Sequence, residues 1–303
     1  VSLFIDKGLE VVSTKGKLEE WNKSYKTLNA PIDKEIQLAV LVGEGSASAS
    51  EIVAGALQDY DRAVLIGQRT FGKGLVQTTR PLAYNTQLKV TTAKYYIPSG
   101  RCIQAMDYAH RKDDGTVERV ADSLKMEFKT KGGRKVFDGG GLDPDIKVEE
   151  EYVGAVTASL INAGLIFEFA SKYYAEHPTK PDLKSFRLTE KDFENFLTFV
   201  KNQKFTYTTS LEDDMQKLVE TAKKERYYEQ LGKELTDLEG KLKAGKSDDL
   251  KNYKVEIMEI LAEQIAFHYD LYDGQSQIFL QNDNAILAAA KVLKDTLTYN
   301  QLL

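Results

Sequence analysis

"IQLAVLVGEGSASASEIVAGALQDYDRAVLIG", residues 36–67, decides how the first half of the chain folds. The apolar run IQLAVLV reads as a strand, GEGSA as a turn, and SASEIVAGALQDY as a helix with apolar residues at helical spacing. A second apolar run, AVLIG, follows at once and reads as another strand. A helix between two strands of one sheet is a crossover, so the strands run parallel and their C-terminal ends share one edge. Three serines, Ser46, Ser48 and Ser50, stand at the strand-to-helix junction. There the first-turn N–H groups are unpaired and point at whatever precedes them, so an oxyanion can sit in front of them. Taken alone, such a small-residue run is a helix cap more often than a nucleophile.

Beyond the second strand comes QRTFGKG, which places Lys73 on a loop at the same sheet edge as the serines. The serine cluster and Lys73 can therefore meet across one β-α-β unit. An ordinary lysine, with a pKa of about 10.4, is neutral in only roughly one molecule in 2,500 at pH 7, and only the neutral amine accepts a proton. A serine-activating lysine must be desolvated, and lowering its pKa to about 7 or 8 costs on the order of 3 to 5 kcal/mol. The expectation is that the aromatic-neighboured loop TFGKG buries the amine, and that Gln77, four residues on, accepts a hydrogen bond from it and fixes its aim.

Other chemistries have little material. The three histidines, His110, His177 and His268, lie away from the serines in sequence, His110 in a polar stretch and the others in the second half. A Ser/His/Asp triad is thus disfavoured. One cysteine, Cys102, and scattered histidines show no metal-site spacing, so no metal is expected, and the single cysteine excludes an intrachain disulfide. The G-K of GQRTFGKG is followed by Gly74 rather than the Ser or Thr that would hold magnesium, so no nucleotide and no cofactor is expected. With a net charge of −5 and dispersed lysines, a nucleic-acid partner is not expected either.

The chain has 303 residues, enough for about two domains, and its texture changes near residue 150. Before it, LEVVS, LAVLV, AVLIG, LKVTTAKYY and PDIKVE read as strands, with a polar insertion at about 107–137. After it, TEKD from Thr189, SLEDD from Ser210 and SDDL from Ser247 each set a capping residue before a carboxylate and an apolar-periodic run. The expected fold class is α/β for residues 1–150, followed by an all-α helical extension over 151–303. The best helical pattern runs from about Ser247 to Asp273, and the aromatics Phe167, Phe169, Tyr173 and Tyr174 read as core. VSLFIDKG at the start reads as a cut within a longer protein, with no signal peptide.

GSASASEIVAGALQDYDRAVLIGQRTFGKGLVQ, then KVTTAKYYIPSGRCIQ, then GGGLDPDIKV resemble the carboxyl-terminal processing proteases, the S41 serine peptidases related to tail-specific protease. The resemblance covers about residues 1–150. It implies a Clp-protease/crotonase-like core and hydrolysis of protein or peptide substrates near their C-termini. It also implies Ser48 as nucleophile, Lys73 as general base, Gln77 as its orienter and the Ala49 N–H as an oxyanion donor. Spacing alone leaves Ser46 and Ser50 open. Export to the cell envelope, periplasmic or membrane-associated, follows from the same resemblance, as does an upstream PDZ domain and oxyanion glycine segment that this chain lacks. Glu44 stands where the family commonly has an amide or a small residue. The helical half has no matching motif and is expected to serve assembly, as a homo-oligomer or adaptor surface. The competing expectation is a catalytically inactive peptide- or ligand-binding protein of the same fold.

Overall fold

The structure, a computed structural model, describes residues 1–149 and 151–303, which divide into two compact units. Val1–Glu150 and Asp283–Leu303 form the first, and Glu151–Asn282 the second.

The first unit opens with β1 (Glu10–Gly16) and β2 (Lys23–Lys26), then makes the crossover β3 (Ala39–Val42), α1 (Ala49–Asp59) and β4 (Val64–Gly67). β3 and β4 are parallel, in register from Ala39 with Val64 to Val42 with Gly67. All four residues of β4 are buried, as befits the central strand of a sheet covered on both faces. α1 lies close on one side of that core because its contact face is small: a Cβ on Gly55 would stand 2.7 Å from Ile97 Cδ1. Val42, Ala54, Leu65, Tyr95, Ile97, Ile103 and Leu142 form the core there.

β5 (Leu75–Pro81) and β6 (Gln87–Tyr96) join β1 and β2 in an antiparallel sheet of order β2-β1-β6-β5. β5 is absent from the strands read off the sequence, because Gln, Thr and Arg interrupt its apolar pattern. The polar stretch at about 107–137 resolves into two small hairpins, β7 (Met106–Arg111) with β8 (Val117–Arg119) and β9 (Glu127–Lys129) with β10 (Lys135–Phe137). β11 (Ile146–Lys147) then pairs in parallel with the free side of β4, so the small sheet runs β11-β4-β3.

The second unit is helical: α2 (Ala155–Asn162), α3 (Leu165–Glu176), α4 (Glu190–Asn202), α5 (Ser210–Lys224), α6 (Tyr228–Gly245), the one-turn α7 (Asp249–Asn252) and α8 (Lys254–Asn282). Ile257, Leu261 and Ile265 of α8 repeat every four residues and are buried, whereas Val255 is exposed. Ile257 and Leu261 pack with Val156, Leu160, Phe169 and Phe196, while Phe167 and Tyr174 remain exposed. α8 is broken at Asp270 and Leu271, short of the Asp273 end of the expected helical pattern. α4 starts at Thr189, as its sequence predicts, but α5 is capped by Thr209 rather than Ser210. Thr209 has the extended backbone of a cap and stands three residues before Glu212, whose N–H its hydroxyl accepts. The Ser247 side chain lies outside the described residues. Among the described residues no helix is long and apolar enough to cross a membrane.

The last two helices, α9 (Asn284–Lys294) and α10 (Thr296–Leu302), return to the first unit, so the helical extension expected over 151–303 ends at residue 282. Ala289, Val292 and Tyr299 pack on Val64 and Ile66 of β4. Tyr299 Oη accepts the Leu38 N–H at 2.9 Å, and Arg134 Nη1 donates to the Leu302 carbonyl at 2.8 Å. A parallel sheet needs cover on both faces, and periodicity says that a helix has an apolar stripe but not which surface that stripe covers.

Candidate active site

Ser48 is the N-cap of α1 and has φ 58° and ψ −115°, a conformation that costs a non-glycine residue about 1–3 kcal/mol. A serine strained at a sharp strand-to-helix turn has its hydroxyl lifted out of the chain path. Its two neighbours differ. Ser46 is tied into the turn, its N–H donating to the Gly43 carbonyl and its Oγ accepting the Gly43 N–H at 3.2 Å. Ser50 is an exposed residue of the first helical turn. Ala49, the first residue of α1, has no partner for its N–H within the helix.

Glu51, one turn into α1, is fully buried and gathers the site. Ser48 and Glu51 are arranged as a capping box, with the Ser48 N–H donating to Glu51 Oε2 at 2.9 Å, whereas the serine hydroxyl makes no capping hydrogen bond. The same Oε2 accepts the Lys73 N–H, also at 2.9 Å. Oε1 accepts the Thr70 hydroxyl at 2.5 Å and the Gly72 N–H at 2.7 Å. One carboxylate therefore makes the backbones of Ser48 and Lys73 immediate neighbours. Thr70 extends the network by accepting the Leu142 N–H at 2.7 Å, which brings in the glycine-rich segment around Gly141. Gly72 is required where it stands: its φ is 84°, and a Cβ would lie 2.4 Å from that of Ala105. The Gly74 N–H donates to Gln104 Oε1 at 2.8 Å.

The far end of α1 is anchored as firmly. Asp59 pairs with Arg101 at 2.8 Å in the protein interior and accepts the Ser99 N–H at 2.9 Å. Burial pushes the Asp59 carboxyl up, against the attraction of the Arg101 guanidinium, and pushes the guanidinium down. The segments 45–59, 69–77, 95–104 and 139–142 thus meet around one helix.

Ser48, Ala49 and Lys73 are brought to one place, but Lys73 is exposed, contrary to the burial expected of it. Its flanking residues, Gly72 and Gly74, have no side chains to cover the amine, and Phe71 is itself 46% exposed. Gln77 lies on the edge strand β5 directly after a bulge between Val76 and Gln77, which re-aims its side chain, and it too is exposed. His110 pairs with Asp107 in the exposed β7–β8 hairpin, and His177 and His268 belong to the helical unit. Among the described residues no group of His, Cys, Asp and Glu could hold a metal. Glu51 and Gln104 are site residues that the sequence alone does not point to. Ser48-Ala-Ser-Glu51 does match a capping-box pattern, and that signal could have found Glu51.

Residues 1–109 match peptidase family S41, and residues 156–293 match the C-terminal helical domain of probable PDZ-proteases. A carboxy-terminal-processing protease of Bartonella bacilliformis is 50% identical over 103 residues, 34% of this chain and 24% of that protein. A probable CtpA-like serine protease of Staphylococcus aureus is 37% identical over 173 residues, 56% of this chain and 33% of that protein. Among solved structures, a photosystem II D1 C-terminal processing protease aligns at 28% identity with a TM-score of 0.34, over 49% of this chain and 29% of that one. The chain spans about a quarter to a third of the length of these curated relatives. The first third of the chain is thus similar to the S41 peptidases, and most of the second half is similar to the helical domain of probable PDZ-proteases.

Proposed function

We propose that this protein is a serine endopeptidase that cleaves proteins at or near their C-termini by a Ser-Lys mechanism. The observation that carries the reading is the strained Ser48 joined to Lys73 through the single buried carboxylate of Glu51. In this mechanism Ser48 Oγ attacks the scissile carbonyl as its proton passes to the neutral Lys73 amine. The Ala49 N–H receives the developing oxyanion. The departing amine takes the proton back from Lys73, which leaves an acyl group on Ser48, and water then hydrolyses it with Lys73 again accepting a proton. Gln77 orients the amine by accepting one of its hydrogens. Because Lys73 is exposed, its desolvation falls to whatever covers the loop, and a bound substrate strand is the cover proposed here. By the same reading the substrate is the C-terminal segment of a protein, the place of action is the cell envelope, and the helical unit serves assembly.

The exposed lysine also supports a second reading, a protein of this fold that binds peptides without cleaving them. Fluorophosphonate labelling of the full-length protein separates the two. Endopeptidase function requires labelling that disappears in Ser48→Ala, together with hydrolysis that falls by at least about 10³-fold in both Lys73→Ala and Lys73→Arg. Arginine fails because a guanidinium with a pKa above about 12 cannot accept the serine proton. Full hydrolysis by Lys73→Arg would remove lysine as the base, and no labelling of the wild type would favour the binder.

A further inference from the structure

Tyr95 stands near the end of β6 and is 3% exposed, with its ring among Val42, Leu65, Ile97 and Leu142. Its N–H donates to the Gly74 carbonyl at 3.0 Å. Its hydroxyl reaches the junction between α1 and the Lys73 loop, where it donates to the Lys73 carbonyl and stands 3.3 Å from the Ser48 carbonyl. Glu51 holds the N–H groups of the same two residues. The structure assigns Tyr95 as a positioning residue for the Ser48–Lys73 pair, acting through the Lys73 carbonyl to which its hydrogen is donated, with the Ser48 carbonyl beside it; this rests on the Ser-Lys reading proposed above.

A carbonyl and the N–H that follows it share one plane, so fixing one end fixes the other. The Ser48 carbonyl shares its plane with the Ala49 N–H, the proposed oxyanion donor; that carbonyl accepts the Ile52 N–H at 3.0 Å, and the Tyr95 hydroxyl bears on it from a second side at 3.3 Å. The Lys73 carbonyl shares its plane with the Gly74 N–H, which Gln104 holds from the other side. Glu51 fixes the planes that precede Ser48 and Lys73. Both residues are therefore clamped on either side, which fixes φ and ψ and with them the direction in which each side chain leaves the backbone. A residue at φ 58° keeps so unfavourable a conformation only where its surroundings over-determine it, and at the Ser48 carbonyl Tyr95 adds to the restraint that the Ile52 N–H supplies at 3.0 Å. Burial, reinforced by the Glu51 carboxylate, pushes the phenol far above the ordinary tyrosine range, so its hydrogen remains available throughout the working pH range. Tyr95 touches neither the scissile bond nor the proton in flight.

Tyr95→Phe in the full-length protein keeps the ring and its packing and removes only the O–H. On fluorescein-labelled casein the variant should lose kcat by tenfold or more with KM unchanged within twofold, and fluorophosphonate labelling of Ser48 should slow by a similar factor. A wild-type kcat and labelling rate, or a loss confined to KM, would overturn the assignment. Ser48→Ala run in parallel keeps the two readings apart: if it still hydrolyses casein, the Ser-Lys reading falls whatever Tyr95→Phe does. A crystal structure of Tyr95→Phe decides the positioning role without reference to activity, since the Lys73 carbonyl should turn, and an unmoved carbonyl would overturn it.

Discussion

Two helix starts in this molecule are written almost identically, Ser48-Ala-Ser-Glu51 before α1 and Thr209-Ser-Leu-Glu212 before α5, and they do different things. At Thr209 the cap residue is extended, with φ −92° and ψ 152°, and the box closes on itself: the Thr209 hydroxyl accepts the Glu212 N–H at 3.1 Å and the Thr209 N–H donates to Glu212 Oε2 at 2.7 Å. Both carboxylate oxygens of Glu212 also accept from the Lys246 ammonium near the surface. At Ser48 the cap residue is strained, its hydroxyl makes no capping hydrogen bond although it faces the first turn, and the Glu51 carboxylate takes further donors from residues 70–73. The same four-residue pattern makes a cap where its neighbours are solvent and makes a site where its neighbours are a second loop. The pattern specifies the local bond, and the tertiary partners decide what the remaining acceptor capacity is for.

Removing the charge from each glutamate separates the two helix starts most strongly. Glu51→Gln presents amide hydrogens to a position where four donors already converge, leaving buried N–H or O–H groups unsatisfied at about 1–3 kcal/mol each. Urea denaturation of the variant should show a loss on the order of 3–5 kcal/mol. Glu212→Gln, at a site reached by water, should lose about 1 kcal/mol or less. Equal losses would mean that the two boxes are energetically alike and that Glu51 does not join the loops.

A smaller effect of opposite sign tests the strain. Glycine tolerates φ 58° without penalty, so Ser48→Gly relieves about 1–3 kcal/mol of strain and loses about 0.5–1 kcal/mol to added chain entropy. The net expectation is a protein about 1 kcal/mol more stable and devoid of hydrolytic activity, the usual sign of a site that trades stability for function. Thr209→Gly, where the cap is already relaxed, should instead lose a few tenths of a kcal/mol. Thermal unfolding midpoints that fall in both variants would show that Ser48 is not strained.

The same contrast explains how far the sequence could be read. Residues 36–67 declare their fold because each link is local: an apolar run, small turn residues, a helical period, and a second run whose parallel pairing follows from the crossover. The caps of α4 and α5 are legible to within one residue for the same reason. What escapes is long-range. Tyr95 reads as one aromatic of a strand, and nothing in KVTTAKYY says that its hydroxyl ends beside the carbonyls of residues 47 and 22 positions earlier. Lys73 reads as a residue to be buried, whereas the glycines that let its backbone approach Gln104 and Ala105 are the reason that nothing nearby covers its amine. Asn284–Leu302 reads as more of the helical half because an amphipathic stripe is the same whether it covers helices or a sheet.

The smallest effect concerns what acid and salt do to the two helix starts. The Lys246 ammonium, followed by the Thr209 N–H, holds the Glu212 carboxyl below the ordinary glutamate value of 4.5. A depressed carboxyl adds stability that is fully present above its unfolded value and is lost as pH falls through the lowered folded one. The α5 start should therefore weaken between about pH 5 and pH 3, by an amount on the order of 0.5 kcal/mol because the pair lies near the surface. Lys246→Met removes the cation and should flatten most of that pH dependence, while 1 M salt, with a Debye length of about 3 Å, should blunt it in the wild type. At Ser48 the partners of the carboxylate are backbone N–H groups and a hydroxyl sealed in the core, which salt does not reach. Hydrogen exchange measured in low and high salt at pH 4 would then show α5 amides near Glu212 exchanging differently in the two conditions and the amides of Ser48, Gly72 and Lys73 exchanging alike. A salt response at Ser48 matching that at Thr209 would mean that water reaches Glu51 and that the two boxes differ in sequence context alone.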